Sequence, residues 1–276
     1  MTRRTFKNII CLISISALFI ILNAPDASAV RVSMKRITFE GKTRSEVLTI
    51  INNTGEAQTY RLGWRKYKMG ERSSLKAIEN DADDDGSILW ADEMLRFAPR
   101  RVSIPAGSSQ QVRILLRRPS GIEEAEYRSH LWILTESKPG EYQLHANNNQ
   151  QAIRLAIQPA ISLPIFVRHG ELKATGSISD ASMKRTPNGL RVSFTLNRTG
   201  NRSLYGDFTF ICKDEGEKVL HQLKGISVYT EIEKRYLDFN IPLKGNSCKK
   251  VSIEYRSDPQ DAQFQGATIA EATVSL

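Results

Sequence analysis

Gln151 to Arg168 reads QAIRLAIQPAISLPIFVR, and its large apolar residues fall on every second position. Ile153, Leu155, Ile157, Pro159, Ile161, Leu163, Ile165 and Val167 take the odd places, against Ala152, Arg154, Ala156, Gln158, Ala160, Ser162 and Pro164 on the even ones. A repeat of two puts every large apolar side chain on one face of an extended strand, whereas a helix would scatter them. At roughly 3.3 Å per residue such a strand runs about 50 Å, well past the common length of about five or six residues. A face that long needs cover. Two readings are open: a long core strand of a β-sandwich, or a strand whose outer half offers its apolar row to a partner that lacks a strand of its own.

On both sides of this stretch the chain reads as short strands broken by turns. Val32 to Phe39, Glu46 to Ile51, Tyr60 to Tyr67, Gln110 to Leu116 and Glu126 to Leu134 alternate or are rich in strand formers, with Gly, Pro and Asn clusters between them. The pattern restarts after His169-Gly170. Leu190 to Gly206 repeats Ser45 to Arg61 at constant offset, matching Asn52 with Asn197, Thr54 with Thr199, Gly55 with Gly200 and Tyr60 with Tyr205. Asp207 to Cys212, Arg235 to Ile241, Lys249 to Tyr255 and Ala267 to Val274 supply further strands. The class is all-β, with two sandwich domains of related build, residues 30–168 and 169–276.

Residues 1–29 read as a cleavable signal peptide for export. Arg3, Arg4 and Lys7 precede an apolar run from Ile9 to Leu22, and Ala27-Ser28-Ala29 offers the small residues of a cleavage site. Cys11 leaves with that segment, so Cys212 and Cys248 remain as a pair, which in an oxidising compartment forms one structural disulfide. The chain carries 39 Lys and Arg against 30 Asp and Glu, a net charge of +9. The cations are spread singly through strand-like segments rather than gathered in a tract, which speaks against nucleic acid as a partner.

Asp81 to Asp92, DADDDGSILWAD, has the acidic and glycine spacing of a calcium loop, with Asp92 in place of the usual final Glu. Such a loop hangs between two amphipathic helices, and Leu75 to Asn80 is too short for one while Phe97 and Pro99 cut off the other. The stretch therefore reads as an acidic solvated loop, with calcium binding as its alternative. His130, His145, His169 and His221 lack metal spacing, and neither a nucleophile elbow nor a Gly-rich phosphate loop is present. The reading is a non-enzyme without cofactor or metal. Arg168, at the junction between halves, reads as a structural salt-bridge partner of Glu126.

The order FAPRRVSIPAG (Phe97 to Gly107), Gln111-Val112-Arg113, EYRSHL (Glu126 to Leu131) and LPIFVR (Leu163 to Arg168) resembles the periplasmic pilus-assembly chaperones of the chaperone–usher pathway, in forms similar to the archaic branch. The resemblance covers residues 30–168 well and the second half by order and length. It implies two immunoglobulin-like sandwiches in a boomerang arrangement, with pilus or fimbrial subunits and an outer-membrane usher as partners. A long strand, here 151–168, would fill the groove of a subunit that lacks its last strand. The row expected to insert is Ile153, Leu155, Ile157, Pro159 and Ile161. The resemblance also implies two basic residues that hold the subunit's terminal carboxylate. Arg36 falls at the first of these places. The second falls at Pro164, which has no charge, and Arg128 stands as the substitute candidate. Self-association of the free chaperone is left open, and a secreted fibre subunit or adhesin is the competing reading.

Overall fold

The computed structural model describes residues 30–72, 74–136, 158–214, 216–243 and 247–276. The first half holds β1 (Val30–Val32), β2 (Ile37–Phe39), β3 (Ser45–Asn52), β4 (Gln58–Arg65), β5 (Tyr67–Lys68), β6 (Lys76–Ala77), β7 (Leu95–Ala98), β8 (Arg101–Ile104), β9 (Ser109–Leu116), β10 (Glu126–Glu136) and β11 (Ala160–Arg168). The second holds β12 (Ala174–Thr186), β13 (Gly189–Gly200), β14 (Leu204–Cys212), β15 (Lys218–Val228), β16 (Lys234–Pro242), β17 (Lys250–Ser257) and β18 (Thr268–Ser275). Among the described residues the helical segments are two short 3-10 turns, Asp81–Asp83 and Asp92–Met94. The signal segment, and Ile153, Leu155 and Ile157 of the expected inserting row, lie outside the described residues.

The strands form two immunoglobulin-like β-sandwiches. In the first, a sheet in the order β1-β3-β9-β7 faces one in the order β2-β11-β10-β4-β8. Alternation explains the packing: Leu48 and Ile50 of β3, Val112 and Ile114 of β9, and Leu131 and Ile133 of β10 are each spaced by two and all buried in one core. In the second, β12-β13-β16 faces β15-β14-β17-β18 over an aromatic core. There Phe194 meets Phe208 edge to face at 5.0 Å, and Phe208 stacks on Tyr255 at 4.6 Å. A disulfide joins Cys212, the last residue of β14, to Cys248, just ahead of β17.

The sequence repeat marks equivalent strand pairs, β3–β4 and β13–β14. Its turns are built differently. Asn52 accepts from the Thr54 N–H and hydroxyl and donates to the carbonyls of Glu56, Ile104 and Pro105, which ties the turn to the loop after β8. Gly200, with φ of +94°, meets the backbone of Lys173 so closely that a Cβ would lie 2.1 Å from its carbonyl oxygen.

One sequence expectation needs correction, and two strands were not expected. Val32 to Phe39 is two strands, because the chain crosses from one sheet to the other between β1 and β2. β12 and β15 have no counterpart in the expected strand set. The first is rich in Ser and Thr and carries a bulge at which Asp180 takes a positive φ of 54°. The second is interrupted by Gly225 and by two register shifts against β14, so neither keeps a clean repeat of two.

Between β4 and β7 the chain leaves the first sandwich and lies against the second. The Met69 side chain is buried within the core of the second sandwich, and Leu75 packs on the same cluster. The Met69 N–H donates to Glu231 Oε1 at 2.8 Å, and the Glu71 carbonyl accepts the Tyr236 N–H on the free edge of β16 at 2.8 Å. Arg72 lies over the Tyr236 ring at 3.9 Å. Residues 67–72 and 74–77 thus form a clasp that belongs to one half by sequence and to the other by contact.

Candidate functional site

β11 carries the stretch on which the sequence reading turns. Leu163, Ile165 and Val167 point into the first core, while Pro164 and Phe166 face the opposite way, with Phe166 joining the core of the second sandwich. β11 is paired along its whole length with β10, from Glu126↔Arg168 to Leu134↔Ala160, and the Thr135 N–H still reaches the Pro159 carbonyl at 2.9 Å. On its other side β11 meets β2 in parallel over only Ile165, Phe166 and Val167. Among the described residues, Ala160 to Pro164 have no strand on that side. Ile161 pairs with Ile133 and shares the face of Leu163 and Ile165, yet it is only half buried, and Pro159 is exposed. The apolar row therefore runs out of the core toward an open strand edge.

Along β2 lies a cleft of about 500 Å³ whose walls include Met34, Arg36, Thr38, Glu40, Arg168 and Asp261. Its charges form a network between the sandwiches. Arg168 Nε donates to Glu126 Oε2 at 2.9 Å and Nη1 to Glu40 Oε2 at 3.3 Å, with Asp261 of the second half 3.8 Å away. Arg202 Nη2 donates to Asp261 Oδ2 at 2.6 Å, and Glu126 Oε1 accepts from the Ser203 N–H at 3.1 Å and from its hydroxyl. Burial works against the charge on Arg168, but Glu126, Glu40 and Asp261 outweigh it and raise its pKa. Each buried charge here has a partner across the junction, which is the condition for tolerating them.

Arg36 is the exception. One step before the Ile37↔Ile165 pair, it flanks Pro164 on the outward face. Its Nη2 donates to Thr38 Oγ1 at 3.2 Å, and no ion pair to it is present among the described residues. Its guanidinium carbon lies over the rings of Tyr205 at 4.3 Å and Phe166 at 5.2 Å. Burial, and then the neighbouring Arg168 charge, lower its pKa. A cation in that position attracts an anion.

Arg128 is placed elsewhere than the open cleft expected of it, and its reading as a substitute anchor is corrected. It is fully buried, with Nη1 and Nη2 on the two oxygens of Glu231 at 2.9 and 2.8 Å, Nη2 also on the Tyr67 carbonyl, and its carbon 3.9 Å from the Tyr229 ring centre. Its charge is answered by the chain itself, so it fastens the clasp. His130 stands opposite Pro164 on the same face, buried against Tyr67 at 4.9 Å and Tyr229 at 6.3 Å. Both its ring nitrogens are buried without a hydrogen-bond partner, and burial, aided by Arg128, lowers its pKa to about 3.

Sequence reasoning had no signal for Glu40, Arg202, Asp261 or Glu231, whose meaning depends on contacts across the junction. Tyr205 was visible only as the repeat of Tyr60. The acidic loop 81–92 is tied to the chain's own lysines: Lys68 to Asp85, and Lys66 to Asp84 at 3.5 Å, with Trp90 Nε1 donating to Asp84 at 2.5 Å. Strands β6 and β7, not helices, flank it. Cys212, Cys248 and Asp214 form the one group with metal-ligand proximity among the described residues, within 4.8 Å. The sulfurs are joined in the disulfide, and Asp214 accepts from the Lys249 and Lys250 N–H groups at 2.6 and 2.8 Å.

No family model matches the sequence, and no curated protein does. Similarity to solved structures is extensive. A chain of the chaperone–tip adhesin complex of CFA/I fimbriae biogenesis matches with 14% identity and a TM-score of 0.44, over 89% of this chain and 97% of its own. A chain of the CsuC–CsuE chaperone–tip adhesion subunit complex, from archaic chaperone–usher Csu pili of Acinetobacter baumannii, matches with 10% identity and a TM-score of 0.44, over 90% and 98%. The E. coli chaperone DraB matches with 14% identity and a TM-score of 0.40, over 90% and 99%. The matched structures are fimbrial chaperones.

Proposed function

We propose that this protein is a periplasmic chaperone that binds fimbrial subunits by completing their fold with the outer part of the long strand, residues 153–161, keeps them from aggregating and passes them to an outer-membrane usher. The observation that carries this reading is the edge of β11. Among the described residues Ala160 to Pro164 have no strand on the β2 side, and the apolar row leaves the protein's own core where that edge opens. An unpaired edge with an alternating apolar face recruits a strand.

Ile153, Leu155, Ile157 and Pro159 would enter the subunit, with Ile161 at the rim. Burying four apolar side chains contributes about 6 to 12 kcal/mol gross, before the cost of ordering the two partners. Arg36 supplies the cation for a terminal carboxylate, and Pro164 leaves the seat with one arm from the residue before β2 and none from β11. No residue here is assigned to catalysis.

The test is co-expression of the chain with fimbrial subunits encoded in the same genome, followed by purification through a tag on this protein. A subunit should co-purify, and Leu155→Asp with Ile157→Asp should abolish capture while the isolated protein keeps its melting temperature. Failure of every such subunit to co-purify would overturn the proposal.

A further inference from the structure

The anchoring cation comes from the first sandwich, but the nearer of the two rings that hold it comes from the second. Arg36 precedes β2 and makes one hydrogen bond among the described residues, to Thr38. A long side chain with so few bonds needs another restraint to stay in one rotamer, because fixing an Arg side chain costs rotamer entropy. That restraint is aromatic. Phe166 of β11 flanks the guanidinium at 5.2 Å, and Tyr205 of β14 lies closer, at 4.3 Å, where a planar cation stacks on a π-face. Tyr205 is itself held: it pairs with Ser227 of β15, and its hydroxyl end lies against Gly225, where a Cβ would come within 3.4 Å of the hydroxyl oxygen. Gly225 also has a φ of +75°, so the position favours a residue with no side chain.

We infer that Tyr205 is a positioning residue for anion binding at Arg36, so that the second sandwich pre-orders the carboxylate seat of the first. The inference rests on the chaperone reading above. Its chemistry is specific. An aromatic ring on one face of the guanidinium uses none of its in-plane N–H donors, so all but the one given to Thr38 stay available, and these are the donors that meet a carboxylate side-on. A carboxylate partner among the chain's own residues would have occupied them. The stacked ring holds the cation without using a donor.

The experiment compares binding of a synthetic peptide of alternating valine and threonine that ends in a free carboxylate with the same peptide ending in an amide. In the unaltered protein the free acid should bind about tenfold more tightly, the scale of one charge-assisted hydrogen bond. Tyr205→Leu should reduce that preference to about twofold, and Tyr205→Phe, which keeps the ring, should restore it. The ring-current shift of the Arg36 Nε–H resonance should fall in Tyr205→Leu to the part that Phe166 contributes and persist in full in Tyr205→Phe, a readout independent of affinity. Equal binding of acid and amide by the unaltered protein would overturn the anchor at Arg36 and this inference with it. A full preference retained in Tyr205→Leu would overturn the role of Tyr205 alone. Should Tyr205→Leu fail to fold, Tyr205→His, a smaller ring at the same place, should give an intermediate preference, and a value equal to that of the unaltered protein would count against the inference.

Discussion

At the scale of single residues, the two buried groups on β10 respond to different perturbations. Arg128 and Glu231 are both almost wholly removed from solvent. Replacing Glu231 by Ala leaves a guanidinium buried without its counter-charge and should cost about 3 to 5 kcal/mol in denaturant unfolding, far more than the loss of an exposed pair such as Arg191–Asp238. His130 responds to pH. Its folded pKa of about 3 lies below the ordinary 6.5, so the native state keeps it neutral while the unfolded chain takes up a proton. Its effect is absent above pH 6.5. As pH falls from there toward 3, stability should decline by about 1.4 kcal/mol per pH unit. His130→Phe should flatten that slope between pH 6.5 and 5, above the range in which carboxylates titrate; an unchanged slope in urea titrations at those pH values would count against it.

At the scale of elements, β11 and the clasp were unequally legible. The repeat of two in Leu163, Ile165 and Val167 follows directly from a strand with one face in a core, and the sequence alone suffices to place them. It also suffices to pair β3–β4 with β13–β14. It does not separate Tyr60, buried in the first core with its hydroxyl unpartnered, from Tyr205, whose ring lies over Arg36. Two matched letters do different work because one sandwich has a neighbour at that corner. Arg128 was misread for the same reason: position on a strand gives the face, but not which carboxylate 103 residues later answers the charge. The clasp has no repeat, no proline signature and only two-residue strands, so pattern reading passes over it. Its contribution is testable. Met69→Ala should destabilise the protein by about 2 to 5 kcal/mol, the range for emptying a buried methionine site, and should broaden the spread of distances between spin labels placed on β9 and β17, measured by pulsed electron resonance.

At the scale of the whole molecule, the junction combines two independent devices, the arginine–carboxylate network around Arg168 and the clasp. Salt should act on them differently. The network is largely buried, so raising ionic strength should change the melting temperature little. The clasp, fastened by apolar side chains as well as by Glu231, should be strengthened by sulfate, which promotes apolar burial. A melting temperature that falls steeply with sodium chloride would mean that exposed pairs, rather than these, hold the halves together.

Met69 also bears on the order in which the protein forms. On entry into the compartment where the chain folds, residues 30–168 arrive ahead of the second sandwich, so for that interval a methionine and a leucine stand ready with no core to enter. The second sandwich, in turn, is completed by side chains made long before its own strands. A fragment beginning at residue 169 would keep every strand from β12 to β18 and still lack a plug for its core and a cover for β16, and it should aggregate where the intact chain does not. The natural boundary for dissecting this protein is therefore not a single point along the chain. Adding a peptide of residues 67–77 in trans should restore the fragment's solubility.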